Sequence, residues 1–141
     1  MRRLDHFEQR LAEVPLFRAC SKQDLRRIAR VADADTVEPG EVLVKQGQPG
    51  HELFVIVSGR ATVKRRGKRV AKLGPGDYFG ELAVLHPAPR TATVTADDAM
   101  EVLMVGSREL AALLADVPVL ARRLLVGMAQ RLQEADTIDT A

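Results

Sequence analysis

FGELAVLHPAPRTATV, residues 79–94, sets one carboxylate and one guanidinium into an apolar run. Glu81 follows Gly80 and Arg90 follows Pro89. The eight residues between them carry no formal charge unless His86 protonates. Opposite charges in a core-like stretch are costly to bury without well-placed partners. The pair therefore reads either as a ligand site or as a buried ion pair.

The local pattern favours a site for an anion. Gly80-Glu81-Leu82-Ala83 leaves a strand and is expected to open one or two helical turns through Val84 and Leu85. The first turn of a helix has N–H groups without internal partners and holds partial positive charge, so it accepts anions. Gly80 permits close backbone approach or a positive φ. Arg90, expected at the start of the next strand, offers a planar fork of donors that suits two phosphate oxygens. Thr91 adds a hydroxyl beside it. Glu81 only accepts hydrogen bonds, so it suits a ligand hydroxyl. One anionic group and one hydroxyl held close together describe a cyclic sugar phosphate.

Outward from this run the chain reads as helix, strands, helix. Glycines at 40, 47, 50, 59, 67, 74, 76 and 80 punctuate short β-branched segments: EVLVK (41–45), ELFVIVS (52–58), RATVKR (60–65), RVAKL (69–73), TATVTA (91–96) and MEVLMV (100–105). Strands this short, with turns this closely spaced, predict a sandwich, roll or barrel over 35–106. Pro39-Gly40, Ser58-Gly59 and Arg66-Gly67 are tight-turn candidates. Residues 4–34 predict two helices. Leu4, Phe7 and Leu11 line the first. The second is capped by Ser21, with Asp24 in its first turn, and buries Leu25, Ile28, Ala29 and Ala32. Ser107 is expected to cap a third helix. Asp116 and Pro118 open a fourth that ends near 136, before a frayed tail at 137–141. The whole is one domain, 1–136.

Composition agrees with an ordinary globular chain. The 141 residues are 46% hydrophobic and 28% charged, with 21 basic against 19 acidic side chains. A formal charge of +2 is no nucleic-acid-binding tail. Sixteen arginines against five lysines, with no asparagine, suggest a GC-rich bacterial genome. Cys20 is the single cysteine, so no intramolecular disulfide can form, and a reduced, buried thiol is expected. The charged start MRRLDHFEQR is no secretory signal, and no run reaches the ~18 apolar residues that cross a bilayer. These features read as a cytoplasmic chain that contacts neither membrane nor nucleic acid.

Residues 79–94 resemble the phosphate-binding cassette of the cyclic-nucleotide-binding domain family. The family pattern of F-G-E-L-A, a short loop and P-R-T-A-x-V is met by Phe79, Gly80, Glu81, Leu82 and Ala83, then Pro89, Arg90, Thr91, Ala92 and Val94. The resemblance extends over most of the chain: LGPGDYFGEL has the family's glycine spacing, QGQPGHELFVIVSGRATV resembles its third and fourth strands, and EVPLFRACSKQDLRRIA its N-terminal helical segment. It implies an antiparallel, jelly-roll-like β-roll with flanking helices and a short helix in the cassette. Glu81 would hold the ribose 2′-hydroxyl and Arg90 the cyclic phosphate. The N–H groups of Leu82, Ala83 and Ala92 would complete the anion site with Thr91 and Gly80, and Val63 and Leu73 would form the apolar wall near the base. By resemblance to bacterial channel domains, Arg131 would cover the purine as a lid, with Met128 as neighbour. His86-Pro87-Ala88-Pro89 departs from the family in being a stiffer loop.

The expected function is reversible binding of a cyclic purine nucleotide, cAMP over cGMP, with the last helix reporting occupancy to a protein partner in trans or elsewhere in a longer chain. A ligand-free interaction scaffold of the same fold is the alternative. Ala121, Leu125, Met128, Leu132 and Ala135 recur at heptad-like spacing and fit either a homodimer seam or packing against the roll. Lys64-Arg65-Arg66-Gly67-Lys68-Arg69 reads as a solvated hairpin tip, with a site for nucleic acid or an acidic partner as the alternative. The three histidines show no metal-ligand spacing, and no serine sits in a nucleophile motif, so no cofactor, metal or catalysis is expected.

Overall fold

The α2 helix begins where two side chains close its first turn. A computed structural model describes the backbone of residues 2–80 and 88–140, and the side chains of 8–80 and 88–133. The expected cassette helix, with Glu81, Leu82, Ala83, His86 and Pro87, lies outside the described residues, as do the side chains of Leu4, Phe7 and Ala135. α1 (Arg2–Glu13) and a 3-10 turn (Pro15–Phe17) lead into α2 (Lys22–Val31). There the Asp24 N–H donates to Ser21 Oγ at 3.1 Å, and the Ser21 N–H donates to Asp24 Oδ2 at 3.2 Å. This reciprocal pair satisfies donors the helix cannot use itself. Leu25, Ile28 and Ala29 are buried, Ala32 is half-buried, and Arg26 and Arg30 face solvent.

Eight strands follow among the described residues: β1 (Asp33–Val37), β2 (Val42–Val44), β3 (Glu52–Ser58), β4 (Ala61–Arg65), β5 (Lys68–Leu73), β6 (Tyr78–Phe79), β7 (Thr93–Ala96) and β8 (Met100–Gly106). They pair antiparallel in two sheets, β1-β8-β3-β6 and β2-β7-β4-β5, which form an open β-roll. Arg66 and Gly67 join β4 to β5 with φ of 54° and 79°, the two left-handed residues of a type I′ hairpin. α3 (Ser107–Asp116) and α4 (Pro118–Thr140) complete the chain.

The sheet β1-β8-β3-β6 separates two cores. Alternation along β3 sends Leu53 and Val55 toward the helices and Phe54 and Ile56 into the roll. β8 does the same with Leu103 and Val105 against Met100 and Val102. Burial on both faces explains why ELFVIVS and MEVLMV read as continuous apolar runs. The helix-side core adds Leu11, Phe17, Ile28, Leu110, Leu113, Val117, Leu120 and Leu124. The interior core adds Phe79, Val94 and Ala96, with Val44, Val63 and Leu73 half-buried at its edge.

Five boundaries differ from the sequence reading. β1 begins at Asp33, inside the segment expected to be helical: DADTV has poor strand propensity and buries only Val37, but pairing with β8 imposes the conformation. Gly106, not Ser107, caps α3, without a side-chain hydrogen bond, because β8 runs up to that position. Asp116 is the last residue of α3, and the buried Val117 is its C-cap; Pro118 then opens α4. α4 continues to Thr140 rather than ending near 136, since neither Gly nor Pro follows Gly127 to stop it. β7 begins at Thr93, so Arg90 precedes that strand.

The broad apolar stripe of α4 divides. Leu120 and Leu124 are buried, whereas Leu125 and Leu132 are 66% and 67% exposed, with Val126 half exposed. Packing against the roll thus accounts for one half of the stripe only. Leu124→Ala should destabilise the fold by about 2–5 kcal/mol through the cavity it leaves. Leu125→Ala, one residue on, should change stability by less than about 0.5 kcal/mol. Urea denaturation of both at low protein concentration checks the assignment of the two faces.

Candidate functional site

Among the described residues Arg90 is the one buried charged side chain, 8% exposed. Backbone pairing fixes its position. The Arg90 N–H donates to the Gln48 carbonyl at 2.9 Å, the Gly47 N–H donates to the Arg90 carbonyl at 2.8 Å, and Pro49 bridges Pro89. The loop before β3 therefore clamps the segment before β7. Pro49 and Pro89 have no N–H, so the donors in this clamp are Gly47 and Arg90.

Two carbonyls then aim the guanidinium. Nη2 donates to the Glu52 carbonyl at 3.0 Å, and Nη1 donates to the Gly80 carbonyl at 3.4 Å. Its Cζ lies 5.8 Å from the centroid of the Phe54 ring, and Phe54 stacks on Phe79 at 4.9 Å with the rings nearly parallel. The charge thus lies over an aromatic ring and against two carbonyl dipoles.

Two glycines make the slot. A Cβ on Gly50 would fall on Arg90 Nε and Cζ. Gly80 has φ +87°, and a Cβ there would lie 2.6 Å from Arg90 Nη1 and 2.7 Å from the Glu52 carbonyl oxygen. The close approach and positive φ expected of Gly80 are both present. Gly50 was not among the sequence-predicted site residues. Its role depends on a contact between two loops far apart in the chain, and no local pattern marks it. Beside Arg90 a cleft of about 340 Å³ is lined by residues that include Val44, Lys45, Gln48, Glu52 and Phe54. Val44 and Phe54 also lay outside the sequence prediction.

The other predicted site residues fall as follows. Thr91 is exposed and Ala92 is buried. Val63 and Leu73 are half-buried against the interior core, on the same side as Val44. Met128 and Arg131 are half-buried on α4. Arg131 is engaged with Tyr78: its guanidinium lies 4.5 Å from the ring centroid, and Nη2 donates to the Tyr78 carbonyl. The structure therefore brings Arg90 and Gly80 together at the roll and places Arg131 on the helix side of β6.

The basic hairpin tip is solvent-exposed from Lys64 to Val70. It still touches the site, since Arg65 Nε donates to the Thr91 carbonyl at 3.3 Å and the Arg66 N–H donates to Gln46 Oε1 at 2.8 Å. Cys20 is half-buried, and burial, followed by the charge of Asp24, pushes its thiol pKa up, away from the reactive thiolate. Among the described residues no cluster of His, Cys, Asp or Glu could hold a metal ion, and no helix is long and apolar enough to cross a membrane.

Comparison with known proteins agrees with this geometry. The model of the cyclic nucleotide-binding domain matches residues 34–117. A cAMP-dependent protein kinase regulatory subunit of Hypocrea atroviridis is 32% identical over 135 residues, 95% of this chain and 29% of that protein. A cGMP-dependent protein kinase of Toxoplasma gondii is 33% identical over 124 residues, 87% of this chain and 12% of that protein. The crystal structure of the Thermus thermophilus catabolite activator protein superposes with a TM-score of 0.80 at 29% identity, covering 87% of this chain and 60% of that one. The chain thus spans about a third or less of the curated relatives it matches. With its β-roll, its cassette sequence and its buried Arg90, the chain belongs to the cyclic nucleotide-binding domain family.

Proposed function

We propose that this chain is a regulatory sensor that binds a cyclic purine nucleotide reversibly, with cAMP preferred over cGMP, and that it performs no catalysis. The observation that carries this reading is the Arg90 guanidinium, buried in a slot cleared by Gly50 and Gly80 and oriented by two carbonyls. The planar fork of a guanidinium matches two phosphate oxygens. The Ala92 N–H would add to the anion site, with Glu81 on the ribose hydroxyl and the Leu82 and Ala83 N–H groups beside it. Val44, Val63 and Leu73 would form the wall against the base.

That wall is the reason for preferring adenine. Three aliphatic side chains offer no partner to the additional carbonyl and amine of guanine, whose burial unpaired is costly. The related kinase regulatory subunit is named for cAMP and the related kinase for cGMP, so the family supports a cyclic purine nucleotide of either kind. Occupancy would shift α4, with Arg131 and Met128 closing over the purine, and a protein partner would read the position of that helix. The exposed Leu125 and Leu132 would pair two copies of the chain; sedimentation of Leu125→Glu against the parent protein, with loss of the dimer expected, reads this directly.

Calorimetry with cAMP and with cGMP tests the central reading. Ligand at ~100 times its dissociation constant should stabilise the fold by ~2.7 kcal/mol. No thermal shift with either nucleotide at millimolar concentration would mean a ligand-free scaffold instead. Arg90→Ala should weaken cAMP binding by about 10-fold or more, as a charge-assisted hydrogen bond contributes ~1.5–3 kcal/mol. Gly50→Ala should weaken it in the same direction by displacing the intact guanidinium, and an unchanged affinity in both variants would place the phosphate elsewhere.

A further inference from the structure

Strand β6 has two residues, and they face opposite cores. Phe79 belongs to the interior of the roll, stacked on Phe54 beneath Arg90. Tyr78 belongs to the helix-side core. One residue after Phe79 comes Gly80, whose carbonyl holds Arg90. β6 is therefore a short bar with one end in the phosphate site and the other under α4.

α4 is fitted to this bar at successive turns. Gly127 receives the Tyr78 hydroxyl: a Cβ there would overlap the hydroxyl oxygen and lie 3.1 Å from Cζ. One turn on, Arg131 lies on the Tyr78 ring and donates to the Tyr78 carbonyl. One turn back, Arg123 Nη1 donates to the Pro15 carbonyl at 2.9 Å. Pro15 itself packs where a Cβ on Gly76 would sit, 2.6 Å from Cδ. Residues 123, 127 and 131 recur every four residues, so they share one face of the helix. That face is registered on the segment Gly76–Tyr78.

We propose that Tyr78, Gly127 and Arg131 form a latch that holds α4 on β6 in the ligand-free protein and competes with nucleotide for Arg131. This inference rests on the cyclic-nucleotide reading. Arg131 occupies the helix side of β6, whereas Arg90, Phe54 and the proposed base wall lie on the roll side. To cover a purine, Arg131 must leave the Tyr78 ring and carbonyl and pass the edge of the sheet, for β6 is an edge strand. The stability of the latch is therefore subtracted from the affinity for nucleotide. A ligand moves α4 only by its differential affinity for the two arrangements. Glycine at 127 is the hole and the Tyr78 hydroxyl is the knob, so the latch can be opened and reclosed by side chains outside the nucleotide contacts.

Gly127→Ala fills the hole and should lift α4 while favouring the helix itself. Backbone hydrogen exchange along 118–133, measured without ligand, should accelerate by about 3-fold or more, and cAMP should bind about 3-fold tighter, the size of an exposed cation–π contact. Adding Tyr78→Phe removes the hydroxyl and should restore both values toward the parent protein, and circular dichroism of both variants should show the parent fold. Exchange unchanged in Gly127→Ala, or no recovery in the double variant, overturns the latch. Faster exchange with equal or weaker cAMP binding overturns the competition. A parent protein that binds neither cAMP nor cGMP defeats the nucleotide reading and the competition with it, while the exchange of the two variants still decides the latch.

Discussion

A guanidinium buried in the wall of a β-roll is the constraint on which the rest of this structure depends. Arg90 cannot sit there alone, and its surroundings are arranged around that fact. The loop before β3 pairs with the segment before β7, so that two carbonyls reach the charge from different elements. Phe54 and Phe79 stack to give it a flat floor. Gly50 and Gly80 give up side chains to make room. These groups come from β3, β6 and the loops beside them, so an assembled roll is the condition for the site. Conversely, the site penalises any register slip that would leave the charge without its carbonyls.

The strands with both faces buried were the legible part of the fold. ELFVIVS appears as β3 with its predicted bounds, and the MEVLMV segment as β8, because a strand between two cores is apolar along most of its length. The Ser21–Asp24 cap and the Arg66-Gly67 turn were legible for a different reason, since their chemistry is local. β1 and β6 were not. DADTV is polar because it lies at the edge with little to bury, and Tyr78-Phe79 is too short to show any period; partners far along the chain impose both conformations.

The site divides in the same way. Gly80 and Arg90 stand in a contiguous motif and were found there, and the structure adds why the first must be glycine. Gly50 and the Tyr78–Gly127 fit were invisible, because each is half of a contact whose other half is supplied by topology. The α4 stripe shows the limit of periodicity alone. Leu124 and Leu125 are identical neighbours in sequence, yet one is sealed and the other faces water. Only the direction from which the roll approaches the helix distinguishes them.

The sheet shared by the two cores has a consequence for how such a domain diversifies. Side chains that shape the roll interior and side chains that seat the helices alternate along the same strands but never share a cavity. Interior positions can therefore be exchanged while the seat of the helices stays intact, and the helix-side positions can be repacked without reshaping the interior of the roll. At β6 that independence ends: Tyr78 and Phe79 are neighbours in one strand, so any change that shifts its backbone alters both cores together.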